Sequence, residues 1–299
     1  MRSVKLINDG ARLQQRSFTP LAKRAILKFQ PEYVWLQEGT LARSLQRWIR
    51  RNRIPTRLVF CDGAPVGAEF SSEFDFVVNL TPTAREELIS HGYPESRTRL
   101  IPHPVTIPAP TKDRATWRQS LGFRESDRLV ISVAAWNSHH KRIDYVIREM
   151  AAVRRDHEQY KLLLCGQPTP ETPGLQKLAR ELLGDNVRWM TLPLAELSNA
   201  YHAADLFVLA SHNEALGAVI AEAAIAGLPI ICNDFPAARY ILGDHPGIVD
   251  LRHDGALAEA IGGGTAIRGA SGVTERVKSQ FCPRRLACEL AEFLEGVDA

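Results

Sequence analysis

The chain of 299 residues lacks any apolar run close to the ~20 residues that a membrane-spanning helix requires. Its first residues also lack a secretory pattern, because Arg2 and Lys5 are not followed by an apolar segment. Cysteine is scarce, and the five cysteines are scattered, odd in number and without zinc-finger spacing. We therefore expect a cytoplasmic chain that is neither membrane-spanning nor disulfide-rich nor a zinc-finger protein.

Two motifs of cofactor and metal sites are missing as well. No Gly-x-Gly-x-x-Gly opens a helix after a strand with an acidic residue about 20 positions later, which disfavours a Rossmann-type dehydrogenase. No Asp-x-Asp motif, which would indicate a metal site, is present. The run of glycines at 262–264 follows no predicted strand and is expected to be a flexible loop rather than a phosphate-binding loop.

What is present is the composition of an ordinary globular protein, with 45% apolar and 24% charged residues. In the second half, short apolar runs alternate with helical patterns, which favours a parallel sheet of the α/β type. Strands are predicted at 129–134, 161–165, 187–190, 206–210, 229–232 and 247–249. Helices are predicted near 143–155, 174–183, 194–203, 214–226, 236–242 and 283–294. This is a doubly wound, Rossmann-like pattern, in which ligands bind at the carboxyl ends of the strands.

The first half shows a shorter pattern of the same kind. Strands are predicted at 4–7, 32–36, 57–61, 74–80 and 98–101, and helices at 19–29, around 41–49 and from a capping box at Thr83. Four prolines within nine residues, from Pro102 to Pro110, then indicate a linker. We predict domains at 1–107 and 108–282, followed by a C-terminal helix at 283–299.

The most informative stretch is residues 211–229, which read SHNEALGAVIAEAAIAGLP. The predicted helix is apolar on nearly all sides and therefore largely buried. Glu214 at its start and Glu222 inside it would lie roughly 12 Å apart along the axis. A buried carboxylate is costly unless it is paired. In one interpretation Glu214 caps the helix and Glu222 forms an ion pair. In the other, the two bind the ends of an elongated ligand. The phosphates of that ligand would then bind at the helix start, where Gly217 has no Cβ to block their approach.

This stretch resembles the E-x7-E signature of the retaining glycosyltransferases of family 4, which have the GT-B fold. Glu214 to Gly217 stand for the family's E-G-F-G, with Ala215 and Leu216 as departures, and Glu222 begins the match to E-A-x-A-x-G-x-P-V. The resemblance implies an α/β, GT-B-like fold of two Rossmann-like domains with parallel sheets, the last helix crossing back to the first domain. It also implies a retaining, metal-independent hexosyltransferase without a cofactor, whose co-substrate is a nucleotide-diphosphate sugar.

A second stretch places cations at a helix start. Lys141 and Arg142 precede the predicted helix 143–155, where a cation opposes the helix dipole unless an anion is bound. This placement favours a phosphate-binding role over a solvated one. The stretch is similar to the family's V-G-R-L…K-R-x-D element, whose lysine contacts the donor phosphates. Ala135 stands where the family often has an arginine.

The resemblance implies a role for each of these residues. Glu222 would bind the ribose hydroxyls, and Glu214 would bind the transferred sugar and its β-phosphate. Lys141 and Glu214 are expected to be the catalytic residues. No carboxylate is placed as a covalent nucleophile, so a front-face substitution is expected. The remaining donor-site positions are Gly166, Leu216, Gly217 and Ala218.

The first half is strongly basic. Residues 1–57 hold thirteen Lys or Arg against three Asp or Glu, a net of +10. Such a face is either simply solvated or suited to an anionic partner, and no nucleic-acid motif accompanies it. The resemblance implies a UDP-, GDP- or ADP-sugar as a partner. The basic face suits a lipid-linked or anionic acceptor and peripheral membrane contact. Asp62 either binds an acceptor hydroxyl or forms an Asx-turn with Gly63.

The family's glycine-rich loop has no counterpart before the strand at 32–36. We therefore expect either a reduced first domain or a start codon upstream. The short first domain, Ala135 and Asp62 keep an alternative open, which is a degenerate protein that binds a nucleotide sugar or a partner without catalysis.

Overall fold

The computed structural model describes residues 18–61, 63, 66–264 and 272–296. The chain divides into two compact units, of which the first comprises Met1–Pro102 with Cys288–Ala299 and the second comprises His103–Ala287. Within the described ranges, no helix has the length and apolar character needed to cross a membrane. The strand expected at 4–7 and the candidate residue Asp62 lie outside the described residues.

The first unit contains a four-stranded sheet in the order β1-β2-β3-β4, with every pair of neighbours parallel. Its strands are β1 (Tyr33–Leu36), β2 (Arg57–Cys61), β3 (Phe76–Asn79) and β4 (Thr98–Leu100). Its helices are α1 (18–29), α2 (Gly39–Arg51), α3 (Ala68–Ser71) and α4 (Pro82–Ser90), with a 3-10 turn at Glu95–Arg97. β3 is buried along its whole length, as expected for a parallel strand covered on both faces.

Two helix starts of the first unit show how the local sequence sets its boundaries. Glu38 caps α2, since its carboxylate accepts from the Leu41 backbone N–H at 2.6 Å. The capping box predicted at Thr83 is wrong. The N-cap of α4 is Thr81, whose hydroxyl accepts from the Ala84 backbone N–H at 3.4 Å, and Pro82 takes the first helical position.

The second unit contains a six-stranded parallel sheet in the order β10-β9-β8-β5-β6-β7. Its strands are β5 (Arg128–Val133), β6 (Tyr160–Cys165), β7 (Val187–Met190), β8 (Leu206–Leu209), β9 (Ile230–Asn233) and β10 (Ile248–Val249). Its helices are α5 (Arg114–Ser120), α6 (Ile143–Asp156), α7 (Thr172–Leu183), α8 (Leu194–Ala203), α9 (Ala218–Ile225), α10 (Pro236–Leu242), α11 (Ala256–Gly262) and α12 (Val273–Gln280), with a 3-10 turn at Gly184–Asn186. The helix α13 (Pro283–Gly296) begins in the second unit and ends among the residues of the first.

The strand order reverses between β5 and β8, which are neighbours in the middle of the sheet. After β5 the chain continues to β6 on one side, and after β8 it continues to β9 on the other side. The loops that follow β5 and β8 therefore diverge and leave a crevice between them. In open α/β sheets such a crevice at the carboxyl ends of the strands is where ligands bind.

The six strands predicted for the second unit lie within one residue of those observed. The helix predicted at 214–226 is wrong at its start, since α9 begins at Ala218. Gly217, at φ +74°, separates α9 from a loop that contains Glu214. The interpretation of 262–264 as loop is also wrong at its first residue, because Gly262 ends α11.

A buried ionic cluster holds α5 against the starts of the two central strands. Arg118 is 1% exposed and donates to Asp205 at 2.5 Å and to the Ala203 carbonyl at 2.8 Å. Asp205 directly precedes β8 and also accepts from the Leu129 backbone N–H of β5 at 2.7 Å. Charge and hydrogen bonds at Asp205 thus fix β5 beside β8.

Replacing Arg118 with methionine should lower the free energy of unfolding by about 1–3 kcal/mol, because it leaves the buried Ala203 carbonyl without its donor, whereas Asp205 keeps its ion pair with Arg114 at 2.6 Å. Urea denaturation measures the loss. The matched control is Arg124→Met, since Arg124 is exposed, and it should change the unfolding free energy little. Equal losses for the two variants would contradict the role given to the cluster.

Candidate functional site

The crevice lies between two loops, residues 134–142 after β5 and residues 210–217 after β8. Both loops leave the carboxyl ends of strands that pair directly. The first leads into α6 and the second into α9, so the amino ends of two helices also meet this edge of the sheet. Such helix ends, with their free N–H groups, favour anions.

The two loops bring together Lys141 and Glu214, which are 73 residues apart in the chain. The Lys141 ammonium donates to the Glu214 carboxylate, and the two side chains are 19% and 12% exposed. The pair is thus partly shielded from water and still open to a ligand. Its binding of a donor stays a prediction.

The loop of Lys141 is held by Asn137, which the sequence analysis missed. Asn137 is 8% exposed, and its side-chain oxygen accepts from the backbone N–H groups of Lys141 at 2.8 Å and His140 at 3.1 Å. Its backbone carbonyl accepts from Ile143, the first residue of α6. A signal was available, because an asparagine after a strand often closes a turn through its side chain.

His140 ties the two loops to each other. Its Nε2 lies 2.7 Å from the backbone carbonyl of Asn213. Because a carbonyl only accepts, this ring nitrogen carries the proton. The His140 carbonyl in turn accepts from the His212 backbone N–H at 3.0 Å. His140 is half-buried and bonded to the second loop.

His139 instead points to a carboxylate on the neighbouring loop. The side chain is 75% exposed, and its Nδ1 lies 2.8 Å from Glu171. Burial by itself raises the pKa of Glu171, but hydrogen bonds from Ser138 and His139 outweigh it and lower the pKa below its ordinary value. Glu171 therefore remains an anion that fixes this side of the Lys141 loop.

Arg142, the other cation of the motif, is part of the protein interior. It adopts a left-handed backbone conformation at φ +53° and is 9% exposed. Its guanidinium donates to the Leu251 carbonyl at 2.6 Å and lies 4.0 Å from the ring centroid of Tyr145. It therefore holds α6 to the segment after β10 and does not reinforce Lys141.

Gly166 follows β6 at the same edge, where the backbone passes very close to the first loop. A Cβ at this position would lie 1.8 Å from the Ala134 carbonyl oxygen and 3.0 Å from Nε1 of Trp136. Any side chain would displace the start of the loop that carries Lys141. The packing alone explains this glycine, and its contact with a donor stays a prediction.

Glu222 lies within α9 and is paired with a tyrosine. The Tyr201 hydroxyl donates to Oε2 of Glu222 at 2.7 Å. Burial raises the pKa of the Glu222 carboxyl, although the bond from Tyr201 acts in the opposite direction. The pKa of Tyr201 is itself raised, by burial and by the charge of Glu222. The alternative prediction that Glu222 forms an ion pair with a basic residue is wrong, because its partner is the neutral phenol of Tyr201.

The start of α9 differs from the predicted geometry. Since Glu214 lies in the loop, the helical spacing of 12 Å does not apply to Glu214 and Glu222. Leu216 is buried at 4% exposure. The Gly217 carbonyl accepts from Ile220 at 2.8 Å, and Ala218 is the first residue of the helix. The three residues therefore form the junction between loop and helix.

Asn233, at the end of β9, is a further residue that the sequence analysis missed. It is 3% exposed and donates to the Ser211 carbonyl at 3.0 Å. It also accepts from the Leu251 backbone N–H at 2.9 Å. The next residue, Asp234, pairs with Arg239 at 2.6 Å.

A family model described as "Glycosyl transferases group 1" matches residues 113–262, which is half of the chain and includes the crevice. Among curated proteins, the chain is 30% identical over 170 residues to the D-inositol 3-phosphate glycosyltransferase of Corynebacterium kroppenstedtii, covering 52% of this chain and 38% of that protein. It is 29% identical over 238 residues to the protein of the same name in Thermobispora bispora, covering 74% and 48%. The chain thus spans less than half the length of these two relatives.

Solved structures show the same fold. The Anabaena protein Alr3699/HepE, in complex with UDP and glucose, superposes with a TM-score of 0.79 at 18% identity over 93% of this chain and 83% of that one. Sucrose-phosphate synthase from Thermosynechococcus elongatus superposes with a TM-score of 0.76 at 20% identity over 94% and 77%. The predicted fold class, α/β and GT-B-like with two parallel sheets, is confirmed.

The raised pKa of Glu222 predicts how Glu222→Gln changes stability with pH. A carboxyl whose pKa is higher in the folded state stabilises the wild type fully at acid pH, and that contribution is lost as pH rises through the folded pKa. The melting temperature of Glu222→Gln relative to wild type should therefore increase as pH rises from 4.5 towards neutrality.

Thermal unfolding across this pH range measures the difference between wild type and Glu222→Gln. The matched control is Glu181→Gln on the exposed surface of α7, which should show no comparable trend. If the melting temperature of Glu222→Gln minus that of wild type decreased as pH rises, the raised pKa of Glu222 would be contradicted.

Proposed function

The chain belongs to the glycosyl transferases of group 1, and on that premise we propose that it transfers a hexose from a nucleotide-diphosphate sugar to an acceptor with retention of anomeric configuration. The observation that carries the proposal is the pairing of Lys141 with Glu214 in the crevice between the loops after β5 and β8. Both the strand reversal and the paired charges suit an elongated anionic ligand.

The proposal assigns the donor diphosphate to Lys141 and to the adjoining helix starts. Lys141 is anchored by Glu214 and remains 19% exposed, so a phosphate oxygen reaching the crevice can bind the same ammonium group. In a partly shielded site such a charge-assisted hydrogen bond is stronger than in water. The backbone groups of Leu216, Gly217 and Ala218, with the turn at Gly166, complete the proposed diphosphate side.

The proposal assigns the ribose to Glu222. Tyr201 engages one carboxylate oxygen, Oε2, and orients the group. The other oxygen is assigned to the ribose hydroxyls, which would donate to it. The raised pKa of Glu222 supports this role, because a half-buried carboxylate with few hydrogen-bond donors gains stability from added donors.

The transfer itself is proposed as a front-face substitution. The bond between the anomeric carbon and the β-phosphate oxygen breaks, and the acceptor oxygen bonds to the same face of that carbon. The acceptor proton passes to the departing phosphate oxygen. Lys141 stabilises the charge that develops on the diphosphate, Glu214 orients the sugar, and the rate arises from orientation and electrostatics. The proposal assigns no resident cofactor or metal.

Acceptor and compartment are part of the same proposal. The basic first segment suits a lipid-linked or anionic acceptor. All five cysteines are free thiols, which supports a reducing cytoplasm as the place of the reaction.

A thermal-shift panel with UDP, GDP, ADP and their sugars tests donor binding, with NADH as the control ligand. At about 100 times its Kd, a ligand should stabilise the folded chain by about 2.7 kcal/mol. We expect a selective rise in melting temperature with one nucleotide. A rise with NADH alone would contradict the proposal.

The nucleotide sugar that binds is then incubated with acceptors, and NMR of the product reports the configuration at the anomeric carbon. A retained configuration is expected. Binding without transfer to any acceptor would instead favour the degenerate alternative, in which the chain binds a nucleotide sugar without catalysis.

Lys141→Ala should weaken donor binding by about 1.5–3 kcal/mol, or roughly ten- to 150-fold in Kd, because it removes a charged hydrogen-bond donor from the phosphates. Titration calorimetry with the selected nucleotide measures this change. The control is Arg148→Ala, an exposed cation farther along α6, which should leave Kd nearly unchanged. An equal Kd for wild type and Lys141→Ala would remove Lys141 from the site.

A further inference from the structure

The helix α1 presents an unusual number of apolar side chains to solvent. Among the described residues, eight large apolar side chains are exposed, and four of them lie on this one helix. Phe18 is 52% exposed, Leu21 62%, Leu27 59% and Phe29 71%. Residues 18, 21 and 29 lie on one side of a helix, so Phe18, Leu21 and Phe29 form an exposed apolar stripe. Leu27 is exposed on another side of the helix.

Cations accompany this stripe. Arg24 and Lys28 are exposed on the same helix, three and seven residues after Leu21, which places them beside the stripe. The Lys28 ammonium lies 5.2 Å from the ring centroid of Phe29. The helix therefore has an outer face on which aromatic, aliphatic and basic groups alternate.

The opposite side of α1 is packed onto α2. Ile26 is 4% exposed and belongs to the same apolar cluster as Leu41 and Leu45 of α2. The Lys23 ammonium lies 5.4 Å from the ring centroid of Trp48. The helix α1 is thus packed against the core of the first unit on one side, and its outer face is exposed.

The helix α2 extends the positive charge. Arg43 and Arg50 pair with Glu73 and Asp75, respectively, whereas Arg47 and Arg51 are exposed. Within the part of the chain that the structure describes, no acidic side chain pairs with Arg24, Lys28, Arg47 or Arg51. These four cations are therefore available to an external anion.

The net positive charge of α1 and α2 indicates which kind of partner can bind the exposed face of α1. Residues 18–57 carry nine Lys or Arg and only two Asp or Glu, and the carboxylate of Glu38, one of these two acids, caps α2. A second copy of this face would be repelled. Residues 1–17, with four Lys or Arg and one Asp, have the same sign and are not complementary to it. Helices that lie in a membrane interface combine Lys and Arg with Phe and Leu in this way, since the apolar side chains contact lipid acyl chains and the cations bind anionic headgroups.

We propose that α1 and the outer side of α2 dock on an anionic lipid bilayer. Phe18, Leu21 and Phe29 enter the boundary between headgroups and acyl chains, and Arg24 and Lys28 bind lipid phosphates, with Arg47 and Arg51 adding longer-range attraction. This surface belongs to the first unit, and the crevice belongs to the second. The proposal stands or falls independently of glycosyl transfer.

Flotation of the full chain with phosphatidylcholine vesicles, with and without phosphatidylglycerol, tests the proposal. Binding is expected only to the anionic vesicles and should fall steeply as salt is added, because the attraction is screened within a Debye length. Equal binding to neutral vesicles, or tighter binding to an RNA of comparable charge than to anionic vesicles, would overturn it.

Two double variants separate the contributions of charge and apolar contact. Arg24→Glu with Lys28→Glu should weaken partition into anionic vesicles by about 30-fold or more, given the contribution of each cation near such a surface. Leu21→Ser with Phe29→Ser should weaken it as well, because it removes apolar area that enters the bilayer.

The matched control reverses two exposed cations of the second unit, Arg155→Glu with Lys177→Glu, at the same net charge as the first variant. It should retain most of the binding, and a loss equal to that of Arg24→Glu with Lys28→Glu would overturn the proposal. Since all substituted side chains are exposed, far-UV circular dichroism and the donor-dependent thermal shift should match wild type in every variant.

Discussion

The pairing of β5 with β8 is the constraint on which the site depends. The two strands are far apart in sequence, and they become neighbours because the chain reverses its direction across the sheet. Asp205 stabilises this pairing, since it accepts from Arg118 and from the backbone of β5 while it directly precedes β8. Every group at the carboxyl edge, including Lys141 and Glu214, inherits its position from this arrangement. A change at the amino ends of the strands would therefore alter the crevice at their opposite ends.

The loops at this edge are held by polar groups that do not face the ligand in the proposed mechanism. Asn137 closes the first loop, His140 joins it to the second, and Asn233 ties the second loop to the segment after β10. Preorganisation of this kind means that the charges need not be rearranged when a ligand binds. Glu222, in contrast, is not preorganised for its proposed role. Its burial favours the neutral carboxyl, whereas binding the ribose hydroxyls requires a carboxylate that accepts hydrogen bonds. A half-buried acid whose carboxylate is bonded to one phenol stabilises the fold little and can accept further hydrogen bonds from a ligand.

The two units differ in how they carry charge. In the second unit the main cations are engaged, Arg118 with Asp205, Lys141 with Glu214, and Arg142 with a backbone carbonyl. On α1 and α2 of the first unit, four exposed cations have no acidic partner among the described residues and stand beside exposed apolar groups. Paired and unpaired cations act differently. A desolvated ion pair favours a ligand of one geometry, whereas a group of exposed cations attracts an extended anionic surface.

The sequence by itself determined the α/β class, the six strands of the second sheet and the family, because buried parallel strands are continuous apolar runs and the Glu214–Glu222 motif is local. It also predicted Lys141 and Glu214 as site residues, each from its own stretch, and that role stays a prediction. Only the tertiary structure decided that the two meet, that Arg142 is internal, and that Glu222 is paired with Tyr201. These contacts join loops and helices that lie far apart in the chain, and no local pattern encodes them. The predicted start of α9 was wrong for a related reason, since helix-forming residues precede Gly217, but the left-handed conformation of Gly217 keeps them in the loop and α9 begins only after it.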